Sequence, residues 1–176
     1  MPNRILVTGF GPFSKTSDNP SAILAAESGE DHRILEVAWQ TVDDWIGSGD
    51  ANDYNVLLHL GFADRHFMTP ELFARNFIGH TPDVRGEVRA GDIELDGPLL
   101  LDSTLWTPEL LGDLLMDDRL RPSEDAGNYL CNYIVYRSLM AYPDKMVGFL
   151  HVPNFDRISE ADQQEVIKGL LSSLRS

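Results

Sequence analysis

Three short apolar runs, each stopped by glycine or proline and interleaved with helix signals, constrain this chain most. Arg4-Ile5-Leu6-Val7-Thr8-Gly9, Tyr54-Asn55-Val56-Leu57-Leu58-His59-Leu60-Gly61 and Lys145-Met146-Val147-Gly148-Phe149-Leu150-His151-Val152-Pro153 are short and barely alternate. Such runs read as strands buried on both faces, as parallel strands are. Arg33 to Trp39 alternates like a further strand. Asn19-Pro20-Ser21 opens a helix through Glu27 with a capping Asn and proline at the first helical position. Thr41 to Ser48, Thr107 to Asp117, Asn128 to Met140 and Ser159 to Ser173 supply the other helical stretches, and Leu110, Leu111, Leu114 and Leu115 sit at helical spacing. Glu71 to Ile78 reads as a strand without a clean polar face, and Gly79 to Gly97 as an exposed excursion. Strands alternating with helices predict a three-layer α/β/α fold around an open, mostly parallel twisted sheet, with ligands at the carboxyl ends of its strands. With 176 residues, no repeat and no linker-like segment, residues 1–176 are expected to form one domain.

Charge and cysteine content remove several function classes. The net charge of −14 and pI near 4.5 repel phosphate backbones and anionic membrane surfaces, so neither nucleic acid nor membrane is expected as a partner. No apolar run approaches the roughly 18 residues of a membrane span. The first apolar run is also too short for a secretion signal, which makes the cytoplasm the expected location. A lone cysteine, Cys131, cannot form an internal disulfide or a multi-cysteine metal site. It is either a core residue or a reactive thiol. The five histidines form no His-Glu-x-x-His and no i, i+4 pair around a carboxylate, so no metal is expected. Gly9-Phe10-Gly11 follows a strand, but Ser14 stands where a dinucleotide fingerprint needs its third glycine. No bound dinucleotide is expected, and no Gly-x-Ser-x-Gly elbow supplies a serine nucleophile.

The setting of Cys131 is more specific than its solitude. Ala126-Gly127-Asn128-Tyr129-Leu130-Cys131-Asn132 puts the thiol near the first turn of a helix, where free N–H groups and the helix dipole favour a thiolate. His151 closes the next strand, and a strand's end shares one rim of such a sheet with a helix start. Glu71, just past the Val56–Gly61 strand, is an acid that could hold the imidazole. Phe10 and Phe13 are either core aromatics or walls of a pocket on that rim. Each of these residues also has an ordinary structural reading.

Four separated motifs, in order, resemble the pyroglutamyl peptidase I (pyrrolidone-carboxylate peptidase) family of cysteine peptidases. They are Gly9-Phe10-Gly11-Pro12-Phe13 with Asn19-Pro20-Ser21; Thr69-Pro70-Glu71 with Ala74 and Asn76; Ala126-Gly127 with Cys131-Asn132 and Tyr136; and Gly148-Phe149-Leu150-His151-Val152-Pro153. The resemblance implies a cytosolic exopeptidase of α/β/α fold, without metal or cofactor, that removes N-terminal pyroglutamate from peptides or small amides. By motif, Cys131 would be the nucleophile, His151 the general base and then acid, and Glu71 the group orienting the imidazole. Phe10, Phe13, Asn19 and Tyr129 would line the substrate pocket, and Arg85 is the nearest match to an arginine that serves the family's site. Gly61-Phe62-Ala63-Asp64-Arg65 stands where the family usually has Gly-Gln-Ala-Gly-Gly-Arg. Phe62 thus replaces a glutamine that helps bind the lactam, a bond its side chain cannot make. The resemblance also implies a homo-oligomer, dimer or tetramer. Two other readings fit the same residues: the thiol machinery acting on a different small amide, and a non-catalytic small-molecule-binding domain.

Overall fold

A computed structural model describes residues 1–15 and 17–176. Five strands form one sheet in the order β2-β1-β3-β7-β4, built from β1 (Ile5–Phe10), β2 (Asp31–Leu35), β3 (Val56–Phe62), β4 (Thr69–Glu71) and β7 (Met146–Val152). All neighbours are parallel except β4, which runs antiparallel to β7 at the edge. A separate antiparallel pair joins β5 (Phe73–Arg75) to β6 (Leu100–Asp102).

The apolar runs behave as strands buried on both faces because each face meets its own helix layer. Leu6, Leu57, Val147 and Phe149 point to one side, against α2 (Trp39–Gly47) and α4 (Leu130–Ala141). Val7, Leu58, Leu60, Leu150 and Val152 point to the other, against α1 (Pro20–Ala26) and α5 (Glu160–Leu174). α3 (Pro108–Leu114) has no fully buried residue, and Leu110, Leu111 and Leu114 lay partial apolar cover on that second cluster. The result is the three-layer α/β/α architecture with a mostly parallel sheet.

Element limits differ from the sequence reading in instructive places. The strand expected over Arg33 to Trp39 ends at Leu35, because Trp39 begins α2, its backbone N–H donating to the Asp83 carboxylate at 3.0 Å. The stretch from Glu71 to Ile78 is not one strand. β4 pairs with β7 through Glu71, Leu72 turns its N–H to the Ser123 carbonyl, and β5 then pairs with β6. Neither face of that stretch is cleanly polar because its two halves belong to different sheets. The 79–97 excursion is irregular, as expected. It is fastened by Asp83, whose carboxylate accepts the backbone N–H groups of Trp39, Arg85 and Glu87.

At the start of the fold, β1 and α1 are lashed together. Asn19 caps α1 by accepting Ser21 N–H at 3.0 Å, and Ser21 Oγ accepts Phe10 N–H at 3.0 Å. Gly9 permits this contact, since a Cβ there would lie 2.4 Å from the Ser21 carbonyl oxygen. Close helix-to-strand packing accounts for that glycine without any phosphate.

Candidate active site

The site forms on the α4 side of the sheet, at the carboxyl ends of β1, β3 and β7. β3 and β7 are in register with Gly61 beside His151, and β4 sets Thr69 beside His151. The antiparallel edge strand thereby turns Thr69 and Glu71 to the face that His151 occupies. Glu71 Oε1 lies 2.6 Å from His151 Nδ1, and both side chains are buried. A carboxylate oxygen can only accept, so Nδ1 carries the proton and the other ring nitrogen is left as the basic one. Burial pushes the imidazole's pKa down against the pull of Glu71, so His151 rests neutral. Burial works to raise the pKa of Glu71, but the hydrogen bond from His151, with Ser123 and the charge of Arg65, outweighs it and holds the carboxyl below its ordinary range.

Cys131 is the second residue of α4, in the first turn as its sequence context predicts. The preceding Gly127 has φ +85°, a left-handed bend that glycine makes without strain and that starts the helix facing the sheet. The sulfur lies over the β3–β7 seam: a Cβ on Gly61 would be 2.7 Å from Cys131 Sγ and 2.4 Å from Phe149 Cζ. Gly61 is required here because two side chains occupy the space above it.

The helix start does not make this a thiolate. Desolvation first, and the charge of Glu71 second, push the thiol up to about 12, against the pull of Arg65 and the thiol's own backbone N–H. At neutral pH the resting residue is a thiol, and a base must take its proton for it to act. Cys131 and His151 both wall one cavity, without a direct hydrogen bond between them among the described residues.

That cavity has a volume of about 160 Å³. Phe10, Phe13, Asn19, Phe62 and Tyr129 line it together with Cys131 and His151. Val37, Ala126 and Leu130, which sequence reasoning did not assign to a pocket, also line it. The rings of Phe13 and Phe62 are 6.2 Å apart, and Tyr129 meets Trp39 edge-on at 5.4 Å. Its polar side chains are largely committed elsewhere. Asn19 Oδ1 accepts from both the N–H and the Oγ of Ser21, Asn19 Nδ2 donates to the Gly11 carbonyl, and the Tyr129 hydroxyl donates to the Pro82 carbonyl. The cavity is an aromatic slot whose wall includes a thiol and an imidazole.

Arg85 is not brought there. It lies half-exposed, paired with Glu36 at 2.6 Å and bonded to Thr41. Its segment is held on the outer side of Asp83, which turns the guanidinium toward α2. The arginine at the site is Arg65, 2.6 Å from Glu71 Oε1. The sequence signal for it was present as the last residue of the Gly61 to Arg65 stretch. What the sequence lacked was the fold of that turn back over β4. Asn132 next to Cys131 is structural, binding Arg75 N–H and the Arg75 and Phe77 carbonyls and so tying α4 to the β5 segment. No group of His, Cys, Asp and Glu residues able to hold a metal ion occurs among the described residues, and no helix there is long and apolar enough to cross a membrane.

Comparison with known proteins agrees with this geometry. The family described as pyroglutamyl peptidase matches residues 3–170. A pyrrolidone-carboxylate peptidase of Lactobacillus acidophilus is 29% identical, with 98% of each chain covered. One from Staphylococcus aureus is 31% identical over 85% of this chain and 78% of its own. Among solved structures, a mutant pyrrolidone carboxyl peptidase of Pyrococcus furiosus superposes with a TM-score of 0.86 at 26% identity, covering 97% of each chain. With its sheet, its aromatic slot and the Glu71–His151 pair beside Cys131, this chain belongs to the pyroglutamyl peptidase family of cysteine peptidases.

Proposed function

We propose that this protein hydrolyses the amide that follows an N-terminal pyroglutamyl residue, with Cys131 as nucleophile, His151 as general base and then acid, and Glu71 holding the imidazole. One observation carries the assignment of roles: the 2.6 Å Glu71–His151 pair and the Cys131 thiol meet at one aromatic slot of about 160 Å³. The slot suits a small, flat, uncharged ring. A larger cleft shares the Phe13 and Tyr129 walls and extends past Pro82 and Val84, giving the remainder of the peptide a way out.

In this reading the ring enters between Phe10, Phe13 and Phe62 and presents its exocyclic carbonyl to Cys131. The thiol proton passes to the free ring nitrogen of His151 as sulfur bonds to the carbonyl carbon. The raised thiol pKa makes this transfer part of the chemical step. Glu71 stabilises the imidazolium through Nδ1–H. Backbone N–H groups at the start of α4, in whose first turn Cys131 lies, serve as donors to the oxyanion. Collapse of the tetrahedral intermediate breaks the C–N bond, and His151 returns the proton to the leaving amine. Water, deprotonated by His151, then cleaves the thioester to release pyroglutamate and restore the thiol.

The test is release of a chromogenic amine from a pyroglutamyl amide. Wild type should turn over and Cys131→Ala should not. Equal rates in the two proteins, or none in either between pH 6 and 9, would overturn the proposal. Rapid alkylation of Cys131 in a protein inert toward pyroglutamyl amides would instead favour another small amide as substrate.

A further inference from the structure

Arg65 stands three residues beyond the end of β3, outside the walls of the slot. Its Nη1 donates to Glu71 Oε1 at 2.6 Å and to Thr69 Oγ1 at 2.7 Å, with Ser123 Oγ at 3.2 Å sharing the same nitrogen. Its Nη2 donates to the Asp125 carbonyl at 2.8 Å. One guanidinium therefore bonds both β4 and the 123–125 segment that leads into α4 and Cys131.

The bonding at Glu71 is lopsided. Oε1 receives Arg65, His151 and Thr69, whereas Oε2 is buried with no hydrogen-bond partner among the described residues. Any turn of the carboxylate short of the half-turn that exchanges its equivalent oxygens would break charge-assisted bonds and gain none. We propose that Arg65 is a positioning residue for Cys131, His151 and Glu71, locking Glu71 Oε1 toward His151 and tethering that pair to the segment that delivers the nucleophile. The inference takes the roles of those three residues from the function proposed above.

The charges around the set agree with this role. Glu71 faces Cys131 with a negative charge that Arg65 offsets, and Asp125 and Arg65 act in opposite directions on His151. Asp125 itself is exposed and 3.9 Å from Arg75. Arg65 is the nearest cation bonded to Glu71, so its removal should be felt at the sulfur as well as at the carboxylate.

Because Cys131 is the sole thiol, its alkylation by iodoacetamide reports its ionisation without any turnover. The experiment compares wild type, Arg65→Gln and Arg65→Lys by alkylation rate from pH 6 to 10, by kcat and KM on a pyroglutamyl amide, and by tryptophan-monitored melting. For Arg65→Gln the alkylation profile should move to higher pH, and kcat should fall about 100-fold with KM within about threefold, as expected for misplacement of a catalytic pair. Arg65→Lys keeps the charge but cannot span Glu71 and Asp125 together, so its profile should stay near that of wild type while kcat recovers only in part. An unmoved profile in folded Arg65→Gln, whatever its melting temperature, assigns Arg65 to stability alone and overturns the proposal. If Arg65→Gln does not fold, Arg65→Lys decides: wild-type kcat overturns the proposal, and a lowered kcat at unchanged KM and profile supports it. Absence of wild-type turnover would count against the proposed function and leave the alkylation comparison to judge Arg65.

Discussion

His59 should make this protein sensitive to mild acid. It sits on β3, fully buried, with Nδ1 2.7 Å from Thr8 Oγ1 and Nε2 2.9 Å from Ser138 Oγ, and the Trp45 ring edge-on at 5.7 Å. Two hydroxyls satisfy either neutral tautomer, but no carboxylate bonds the ring. Desolvation therefore pushes its pKa down to about 3. In the unfolded chain the same imidazole titrates at its ordinary value of about 6.5. Below that pH the unfolded state binds a proton that the native state refuses, so stability falls as pH drops from 6.5 toward 3 and is fully present above about 7.5. At pH 5 the difference is 1.5 pH units at about 1.36 kcal/mol each, or roughly 2 kcal/mol. That is a substantial part of a typical 5–15 kcal/mol total, and about 1 M in a urea midpoint. Urea titrations followed by tryptophan fluorescence at pH 7.5 and 5 would compare wild type with His59→Gln. The variant should lose less stability over that interval, by about 2 kcal/mol, whatever its absolute stability at pH 7.5. His151, also depressed, contributes equally to both proteins and cancels. Identical pH dependence in the two proteins would refute the argument that His59 stays neutral in the core.

Other perturbations separate packing from chemistry at the slot. Gly61→Ala would put a methyl 2.7 Å from Cys131 Sγ and 2.4 Å from Phe149 Cζ; displacing the thiol should lower kcat by about 100-fold, and a near-wild-type kcat would show that the seam yields easily. Arg85→Ala removes a half-exposed pair with Glu36 and a long bond to Thr41, so melting should move by no more than about 1 kcal/mol equivalent, with kcat/KM within about twofold of wild type; a large loss of turnover would return Arg85 to the site. Phe62→Gln puts an amide beside Phe13, and its kcat/KM for a pyroglutamyl amide relative to a 3-oxocyclopentanecarbonyl amide, which lacks the ring N–H, should rise at least tenfold over wild type, one good hydrogen bond being worth about that ratio. An unchanged ratio would mean that backbone groups alone read the ring.

Much of the site was legible because its members end or begin elements. His151 lies two residues before a strand-stopping proline, Cys131 follows the Gly127 bend, and Phe10 and Phe13 lie at the end of β1 and in its loop, so local signals allowed all four to share one rim. Arg65 was harder to read, since it lies in an irregular turn whose direction depends on its bonds to Thr69, Ser123 and Asp125. Arg85 was misread for the same reason, because it is the backbone of its segment, held by Asp83, that decides where the side chain points.

From residue order alone came the layered α/β class, the exclusion of disulfides and multi-cysteine metal sites, and the choice of Cys131, His151 and Glu71. These depend on periodicity, composition and ordered motifs, which are properties of the chain. Tertiary structure decided the split of the Glu71 to Ile78 stretch between two sheets and the antiparallel edge that points Glu71 at His151. It also decided the protonation states. Helix position alone favours a thiolate at Cys131, yet the chain packed around the thiol desolvates it and Glu71 adds its charge, and together they outweigh the first turn of α4. Desolvation depends on what the rest of the chain packs around a group, and no local pattern records it.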